Sequence, residues 1–308
     1  MSLASTAFNQ IFIMFIIILV GIVCYKVKLV DKEFNKKLSD LVLMLVNPIV
    51  IFVSYQREFE ATLLKGLLIS LILAFITHFL SILIGQVLIR GKKHKADMVL
   101  ERFAVIYENC GFIGIPLAYG LFGSEGVFYI TAHMTIFNLL VWTHGLIIMT
   151  GKSDRKSITK ALLSPSVIAT VTGFVLFVCR IMLPGAMKEA FTYIGNMNTP
   201  LAMLVAGITI AQTDIKRLLG KVRIYYISFL KLLFVPIVMI LIYRWFSIPQ
   251  TVFLTAILAA ACPTAATINL FSLRYEKNYL YASELFALTT ILSMGTIPLV
   301  VMIAKLVI

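Results

Sequence analysis

Long apolar segments follow one another along the whole chain, and short polar stretches separate them. Ten such segments are visible, at about 8–25, 38–56, 62–89, 98–122, 126–149, 161–183, 190–211, 222–246, 250–272 and 280–305. A helix that crosses the hydrocarbon core of a bilayer needs roughly 20 residues. The pattern therefore predicts an all-α polytopic membrane protein with ten transmembrane helices.

Basic residues are unevenly distributed between the two sides of this predicted topology. Of the 27 Lys and Arg residues, 20 fall in the first, third, fifth, seventh and ninth connections, six fall on the opposite side, and Lys231 lies within a segment. Cytoplasmic connections carry the excess of Lys and Arg in membrane proteins. We therefore expect a multi-pass protein of the cytoplasmic membrane with both termini extracytoplasmic.

Ten helices whose two ends lie on the same side divide into two halves of opposite orientation, an arrangement common in secondary transporters. We divide the chain into a first five-helix repeat (1–150), a cytoplasmic linker (151–160) and a second, inverted five-helix repeat (161–308). Corresponding segments of the two halves are also interrupted at similar places. Asn47-Pro48 and Asn198-Thr199-Pro200 interrupt the second and seventh segments, and Asn109–Pro116 and Cys262–Thr267 interrupt the fourth and ninth.

The breaks in the fourth and ninth segments are the first candidate for a binding site. A broken helix in lipid is tolerated only where protein or a water-filled cavity covers the exposed backbone. The N–H groups that begin a half-helix can bind an anion, and two crossing breaks would surround one small anionic ligand. The candidate substrate-binding residues are Asn109, Cys110, Gly111, Gly114, Pro116, Pro263, Thr264, Thr267, Asn269, Asn47, Pro48 and Asn198. The alternative is that they only satisfy freed backbone groups and hold helices together.

Ionisable residues within the apolar segments are the second candidate, because they are costly at membrane depth and often functional. Candidates for a coupling ion or proton are Glu108, Glu284, Lys231 and His133. A buried Lys231 needs a partner, with Glu108 or Glu284 available, and His78 falls at a similar depth. The alternative for the carboxylates is a solvated position near the cytoplasm, and for His133 and His144 it is an ordinary interhelical hydrogen bond.

Composition excludes several other classes of protein. The chain is 60% hydrophobic with a mean hydropathy of +0.99, which no soluble domain has. Its net charge of +13 is dispersed between apolar segments, so we expect no nucleic-acid partner. The four cysteines form no CxxC pair, which predicts neither a disulfide framework nor a metal site. HExxH, GxSxG and P-loop motifs are missing, so we expect neither an enzyme nor a cofactor.

Four stretches resemble the auxin efflux carrier family, whose bacterial members include malate and malonate permeases. They are LVLMLVNPIVIF, ENCGFIGIPLAYGLFG, NTPLAMLVAGITIA and AAACPTAATINLF. The resemblance implies a scaffold domain and a transport domain, with the fourth and ninth helices crossing at their breaks beside the substrate. It places Asn109 and Pro116 at one break, Pro263 at the other, and Asn47 and Pro48 on the scaffold side. The second break lacks the paired glycines of the first, and the short central loop disfavours a loop-regulated auxin carrier.

The sequence as a whole predicts a secondary active transporter of a small organic anion, such as malate or an auxin-like acid. The expected mechanism is elevator-type alternating access, coupled either to H+ or to Na+. The expected partners are the anion and the lipid bilayer, and a homodimer is left open. The main alternative is a membrane receptor or sensor that binds a carboxylate without moving it. An intramembrane enzyme would need paired deep carboxylates or a Ser/His dyad, and a channel is disfavoured by broken helices in both halves.

Overall fold

The computed structural model describes residues 3–90, 95–151, 159, 162–213 and 220–308. Most of the predicted linker 151–160 lies outside these ranges, as do several of the basic residues counted above. Within the described ranges the chain is helical, and its only extended pairing is a two-residue bridge between the breaks. The expectation of an all-helical protein is confirmed.

Fifteen α-helices are described. They are α1 (Leu3–Lys26), α2 (Lys32–Leu41), α3 (Asn47–Ser54), α4 (Ala61–Leu88), α5 (Lys95–Ile106), α6 (Ile115–Leu140), α7 (Leu146–Thr150), α8 (Pro165–Val178), α9 (Gly185–Asn196), α10 (Asn198–Ala211), α11 (Val222–Phe229), α12 (Val235–Tyr243), α13 (Gln250–Ala261), α14 (Thr267–Arg274) and α15 (Tyr279–Val307). Four π-helical turns join neighbouring helices, at Val42–Val46, Cys110–Gly114, Val141–Gly145 and Leu230–Phe234. Such turns often occur at functional sites.

Seven helical runs of the described chain are long and apolar enough to cross a membrane, and two apolar helices, α8 and α13, are shorter. One of the seven, Cys110–Thr150, is 41 residues long, about twice the length that a bilayer needs. Its backbone leaves the helical conformation at Gly123, where φ is +61° and ψ is −150°. A Cβ on Gly126 would lie 2.5 Å from the carbonyl oxygen of Ala118, so the chain folds back on itself here. Gly123 therefore separates two helical segments, as the apolar pattern predicted.

The two faces of α4 show why these helices suit a bilayer. One face is apolar and exposed, and it carries Leu68, Ile72, Phe75, Phe79 and Leu83. The opposite face is buried and consists largely of small or polar residues, among them Gly66, Ser70, Thr77, His78, Ser81 and Gly85. Apolar side chains outside and small or polar ones inside are typical of membrane helices, because small residues let neighbouring helices approach closely. The fold is that of a multi-pass membrane protein.

The helices pack in two groups, and each group contains helices from both halves of the sequence. The first group is α1, α2, α3, α8, α9 and α10, and the second is α4 to α7 and α11 to α15. Contacts of α1 with α6 and α15, and of α3 with α6, join the groups. The break between α5 and α6 therefore lies where the second group faces the first.

The tightest helix contact in the first group joins α1 to α10 through two glycines. A Cβ on Gly21 would lie 2.6 Å from the carbonyl oxygen of Leu204, and one on Gly207 would overlap the carbonyl oxygen of Ile18. We expect Gly207→Ala to destabilise the protein by roughly 1–3 kcal/mol, because a backbone cannot move aside as a side chain can. The measurement is the midpoint of thermal unfolding in detergent. Gly295→Ala on α15 is the control, since a Cβ there meets no atom within 4 Å; equal midpoints for the two variants would contradict this packing.

Candidate functional site

The two predicted breaks meet, and their backbones pair. Glu108 and Thr264 form an isolated antiparallel bridge. The Asn109 N–H donates to the Pro263 carbonyl at 2.8 Å, and the Ala265 N–H donates to the Tyr107 carbonyl at 2.9 Å. Each break thus supplies hydrogen-bond partners for backbone groups that the other break leaves without one. Such pairing is how a broken helix is tolerated inside a membrane protein.

Hydroxyl groups complete the second break. The Thr264 hydroxyl donates to the Ala104 carbonyl at 3.1 Å, and the Thr264 N–H donates to the Thr289 hydroxyl at 3.3 Å. Thr264 therefore holds the crossing together. The Thr267 hydroxyl, in contrast, has no hydrogen-bond partner in the described part of the chain. Asn269 accepts a hydrogen bond from the Ser283 hydroxyl at 3.2 Å.

Asn109 caps the half-helix that follows the first break. Its side-chain oxygen accepts from the Phe112 N–H at 3.4 Å, and its carbonyl accepts from the N–H groups of Ile113 and Gly114. Its amide nitrogen is buried and has no acceptor among the described residues. Asn109 therefore fixes the start of the half-helix and still has an amide donor to offer.

A second amide donor, on the Asn47 side chain, approaches the first break from the first packing group. The Asn198 side chain donates to the side-chain oxygen of Asn47, and both residues are buried. The amide nitrogen of Asn47 has no acceptor in the described ranges. It lies 3.0 Å from the position that a Cβ on Gly111 would occupy. Gly111 thus lets the amide of Asn47 approach the first break.

These groups form a cradle of donors at the first break, made of the side-chain amides of Asn47 and Asn109 and the N–H groups of Cys110 and Gly111. Within the described chain these two N–H groups have no protein acceptor, as expected for the first residues of a helix. The helix dipole adds partial positive charge at this end. The cradle can therefore bind a small anion such as a carboxylate.

An apolar cleft adjoins the half-helix that carries the cradle, and its free space of about 20 Å³ is roughly enough for one water molecule. It lies between the two packing groups and is lined mainly by apolar side chains, including Met14 and Ile18 of α1, Ile113, Leu117 of α6, and Met203 of α10. Thr290 of α15 also lines it, and its buried hydroxyl has no partner in the described chain. In this conformation the cleft is too small for the carbon skeleton of a ligand.

Three ionisable side chains surround Glu108 and form with it a cluster of four. Glu108 Oε1 lies 3.1 Å from His78 Nε2 and 3.4 Å from His133 Nε2, and its Oε2 lies 3.6 Å from Lys231 Nζ. No side chain in this Glu108 cluster is more than 3% exposed. The four residues come from α4, the first break, α6 and the π-helical turn Leu230–Phe234, so four separate elements converge on one carboxylate.

The Glu108 cluster is better suited to protons than to a metal ion. One ligand atom from each of His78, Glu108 and His133 lies within 4.8 Å of the other two, as a metal site would require. However, the ammonium group of Lys231 already supplies positive charge to the same carboxylate. A dication would be repelled by it at this depth. We therefore assign no metal to the cluster.

Comparison with known proteins assigns the chain to a family. It matches the family described as "Membrane transport protein" over residues 6–159 and again over residues 152–301. The chain belongs to this family. The resemblance to auxin efflux carriers is thereby confirmed.

Two relatives show how far the similarity of this transporter extends. An "Uncharacterized transporter" of Methanothermobacter thermautotrophicus is 23% identical over 291 residues, which cover 92% of this chain and 94% of the relative. A "Putative malonate transporter" of Rhizobium meliloti is 25% identical over 272 residues, which cover 84% of each chain. Both matches extend over most of the transporter.

The other candidates in the transporter lie as follows. Glu284 pairs with Lys221 at 2.5 Å, so the structure does not bring it to the Glu108 cluster. Of the two partners that the sequence offered for Lys231, the structure selects Glu108. His144 makes the interhelical hydrogen bond expected of it, with the Tyr107 hydroxyl at 2.8 Å.

Pro48 and Pro116 occupy the first turns of α3 and α6, where a missing N–H costs little. Gly114 leaves room for Cys110 and Cys262, whose side chains lie within 3.4 Å of the position its Cβ would take.

Two buried residues escaped the sequence-based prediction of the site. Glu101 accepts two hydrogen bonds from the Arg223 guanidinium, at 2.9 and 2.6 Å, and one from the Tyr281 hydroxyl. This arrangement ties α5 to α11 and α15. His78 was weighed only by its depth, although its place on the polar, buried face of α4 is a signal that the sequence does contain.

Proposed function

We propose that this transporter is a secondary active carrier of a small carboxylate in the cytoplasmic membrane. The observation that carries the proposal is the cradle at the first break, where two buried amides and two N–H groups donate to no protein acceptor within the described chain. A buried donor without a partner costs roughly 1–3 kcal/mol. A bound carboxylate would remove that cost.

The choice of a carboxylate rests on chemistry and on one relative. Amide and backbone donors at a helix N-terminus match the two oxygens of a carboxylate without a cationic side chain. The Rhizobium meliloti relative bears the name "Putative malonate transporter". Malonate and other small mono- and dicarboxylates are therefore the first substrates to test.

The movement that we propose is an elevator-type displacement of one packing group against the other. The cradle draws Asn47 from the first group and Asn109 from the second, so a relative displacement would change the site. In this proposal the ten-helix inverted repeat holds, with both termini outside the cytoplasm. Uneven Lys and Arg placement supports the orientation.

The test is counterflow in liposomes that contain the purified protein and are loaded with unlabelled malonate or another carboxylate. We expect saturable entry of the labelled carboxylate. Asn47→Ala should raise its half-saturation concentration by roughly 10- to 100-fold, because a hydrogen bond to a charged group contributes about 1.5–3 kcal/mol. Asn196→Ala, at an exposed position at the end of α9, is the matched control and should leave the value unchanged.

Two results would count against this proposal. Binding of carboxylates without flux in any gradient would favour a receptor or sensor. Saturable flux by Asn47→Ala with the half-saturation concentration of the wild type would show that the cradle does not bind the transported carboxylate.

A further inference from the structure

The Glu108 cluster has unused capacity for a proton. The Glu108 Oε1 atom lies 3.1 Å from His78 Nε2 and 3.4 Å from His133 Nε2. None of these three atoms forms an aligned hydrogen bond with any described residue. Buried polar atoms in native proteins are usually hydrogen-bonded, so three unpaired atoms around one point need an explanation. A proton that arrives and leaves during the transport cycle supplies one.

The orientation of His78 defines where a proton could go. Its Nδ1 lies 2.8 Å from the Ala74 carbonyl oxygen, which can only accept, so Nδ1 carries a hydrogen. In a neutral imidazole the other nitrogen, Nε2, is then a bare acceptor. This acceptor faces a carboxylate oxygen at 3.1 Å. Two acceptors at that distance repel each other until one of them binds a proton.

The charge balance links this proton to the substrate. With both histidines neutral, the carboxylate of Glu108 and the ammonium of Lys231 cancel, so the cluster without substrate carries no net charge. A carboxylate bound at Asn109 and Gly111, next to Glu108 in the chain, adds negative charge at membrane depth, which is costly. One proton on the cluster would restore neutrality.

The other titratable groups around the cluster are less suited to bind this proton. The titratable side chains beside the cluster in the described chain are two tyrosines and two thiols, namely Tyr107, Tyr243, Cys110 and Cys262. The Tyr243 hydroxyl lies within 2.7 Å of both the Thr77 hydroxyl and the Leu73 carbonyl. The Tyr107 hydroxyl lies 2.8 Å from Nδ1 of the half-buried His144. Glu284 of α15 is occupied by Lys221.

We propose that Glu108, His78 and His133 form the proton site that couples carboxylate movement to a pH gradient, with Lys231 as the fixed counter-charge. This inference rests on the proposed carrier function. The proton binds between Glu108 Oε1 and a histidine Nε2 on the acidic side of the membrane and is released on the other side with the substrate. Proton and carboxylate therefore travel in the same direction.

The first experiment uses the unaltered protein in liposomes that contain a trapped pH-sensitive dye. Adding malonate outside should acidify the interior, and an acidic exterior should drive accumulation of a monocarboxylate by up to about tenfold for each pH unit when one proton accompanies each anion. Protein-free liposomes correct for passive entry of the protonated acid. Accumulation driven by a sodium gradient and indifferent to the pH gradient would overturn the inference, as would a stoichiometric metal ion in the purified protein.

The second experiment uses the double variant Glu108→Gln with Lys231→Met, which removes the carboxylate and its counter-charge together and leaves no unpaired charge in the cluster. We expect this variant to retain counterflow exchange while its accumulation ratio in a pH gradient falls to about that of protein-free liposomes. Glu33→Gln, at an exposed site on α2, is the control and should accumulate like the wild type. Full pH-driven accumulation by the double variant would overturn the inference. Absence of counterflow in the wild-type protein would instead overturn the proposed carrier function itself.

Discussion

Replacing Lys231 by methionine is expected to lower the free energy of unfolding by roughly 3–5 kcal/mol. Both Lys231 and Glu108 are 1% exposed, and the Lys231 ammonium group lies 3.6 Å from the Glu108 carboxylate. Methionine fills a similar volume but leaves a buried carboxylate without its cation. The cost arises from that uncompensated charge more than from lost packing. Thermal unfolding in detergent measures the effect as a lower midpoint.

A double variant tests this explanation directly. Lys231→Met combined with Glu108→Gln removes both charges, so we expect a midpoint close to that of the wild type, because replacing a whole buried pair is often neutral. Lys305→Met, at an exposed position near the end of α15, is the control and should change stability by less than about 0.5 kcal/mol. A double variant as unstable as Lys231→Met would show that packing, and not charge, is responsible.

Changing Asn109 to aspartate is expected to have the largest effect on transport. Aspartate caps a helix about as well as asparagine does, so the hydrogen bond to the Phe112 N–H can persist, while the added charge at a buried position lowers the midpoint of thermal unfolding. The variant loses the free amide donor and places a negative charge beside the cradle. We expect the half-saturation concentration for a carboxylate to rise at least about 30-fold, from the lost hydrogen bond and the added repulsion.

The measurement is counterflow, read together with the midpoint of thermal unfolding. Asn196→Asp adds the same charge at an exposed site and is the control for a nonspecific effect of charge. If Asn109 only caps the half-helix, Asn109→Asp will exchange the carboxylate with wild-type kinetics. The expected result is a large kinetic effect in a variant that is folded at the assay temperature, with a midpoint of unfolding below that of the wild type.

Much of the helical architecture could be predicted from local sequence signals. Gly123 ends one apolar segment, and the structure turns there because the backbone adopts a positive φ that glycine tolerates. The proline breaks are likewise visible in the sequence. The number of spans and the inverted orientation of the two halves remain predictions, because length and hydropathy identify seven long helical runs and two shorter ones in the described chain.

Pairings between distant residues were harder to predict. The predicted depth of Lys231 in the membrane left two carboxylates as possible partners. The three-dimensional fold places Glu108 beside Lys231 and Glu284 beside Lys221. The contact between Asn47 and Asn198 joins residues 151 positions apart. Nor could the sequence show that the first break pairs with the second through backbone hydrogen bonds, since those are independent of side-chain identity.

The most direct test of the account is equilibrium binding of radiolabelled malonate and other small carboxylates to the purified protein in detergent. The account predicts saturable binding of at least one carboxylate by the wild type and by Asn196→Asp, with binding weakened at least about 30-fold in Asn109→Asp. Equal affinity in Asn109→Asp and the wild type would contradict a carboxylate site at the first break.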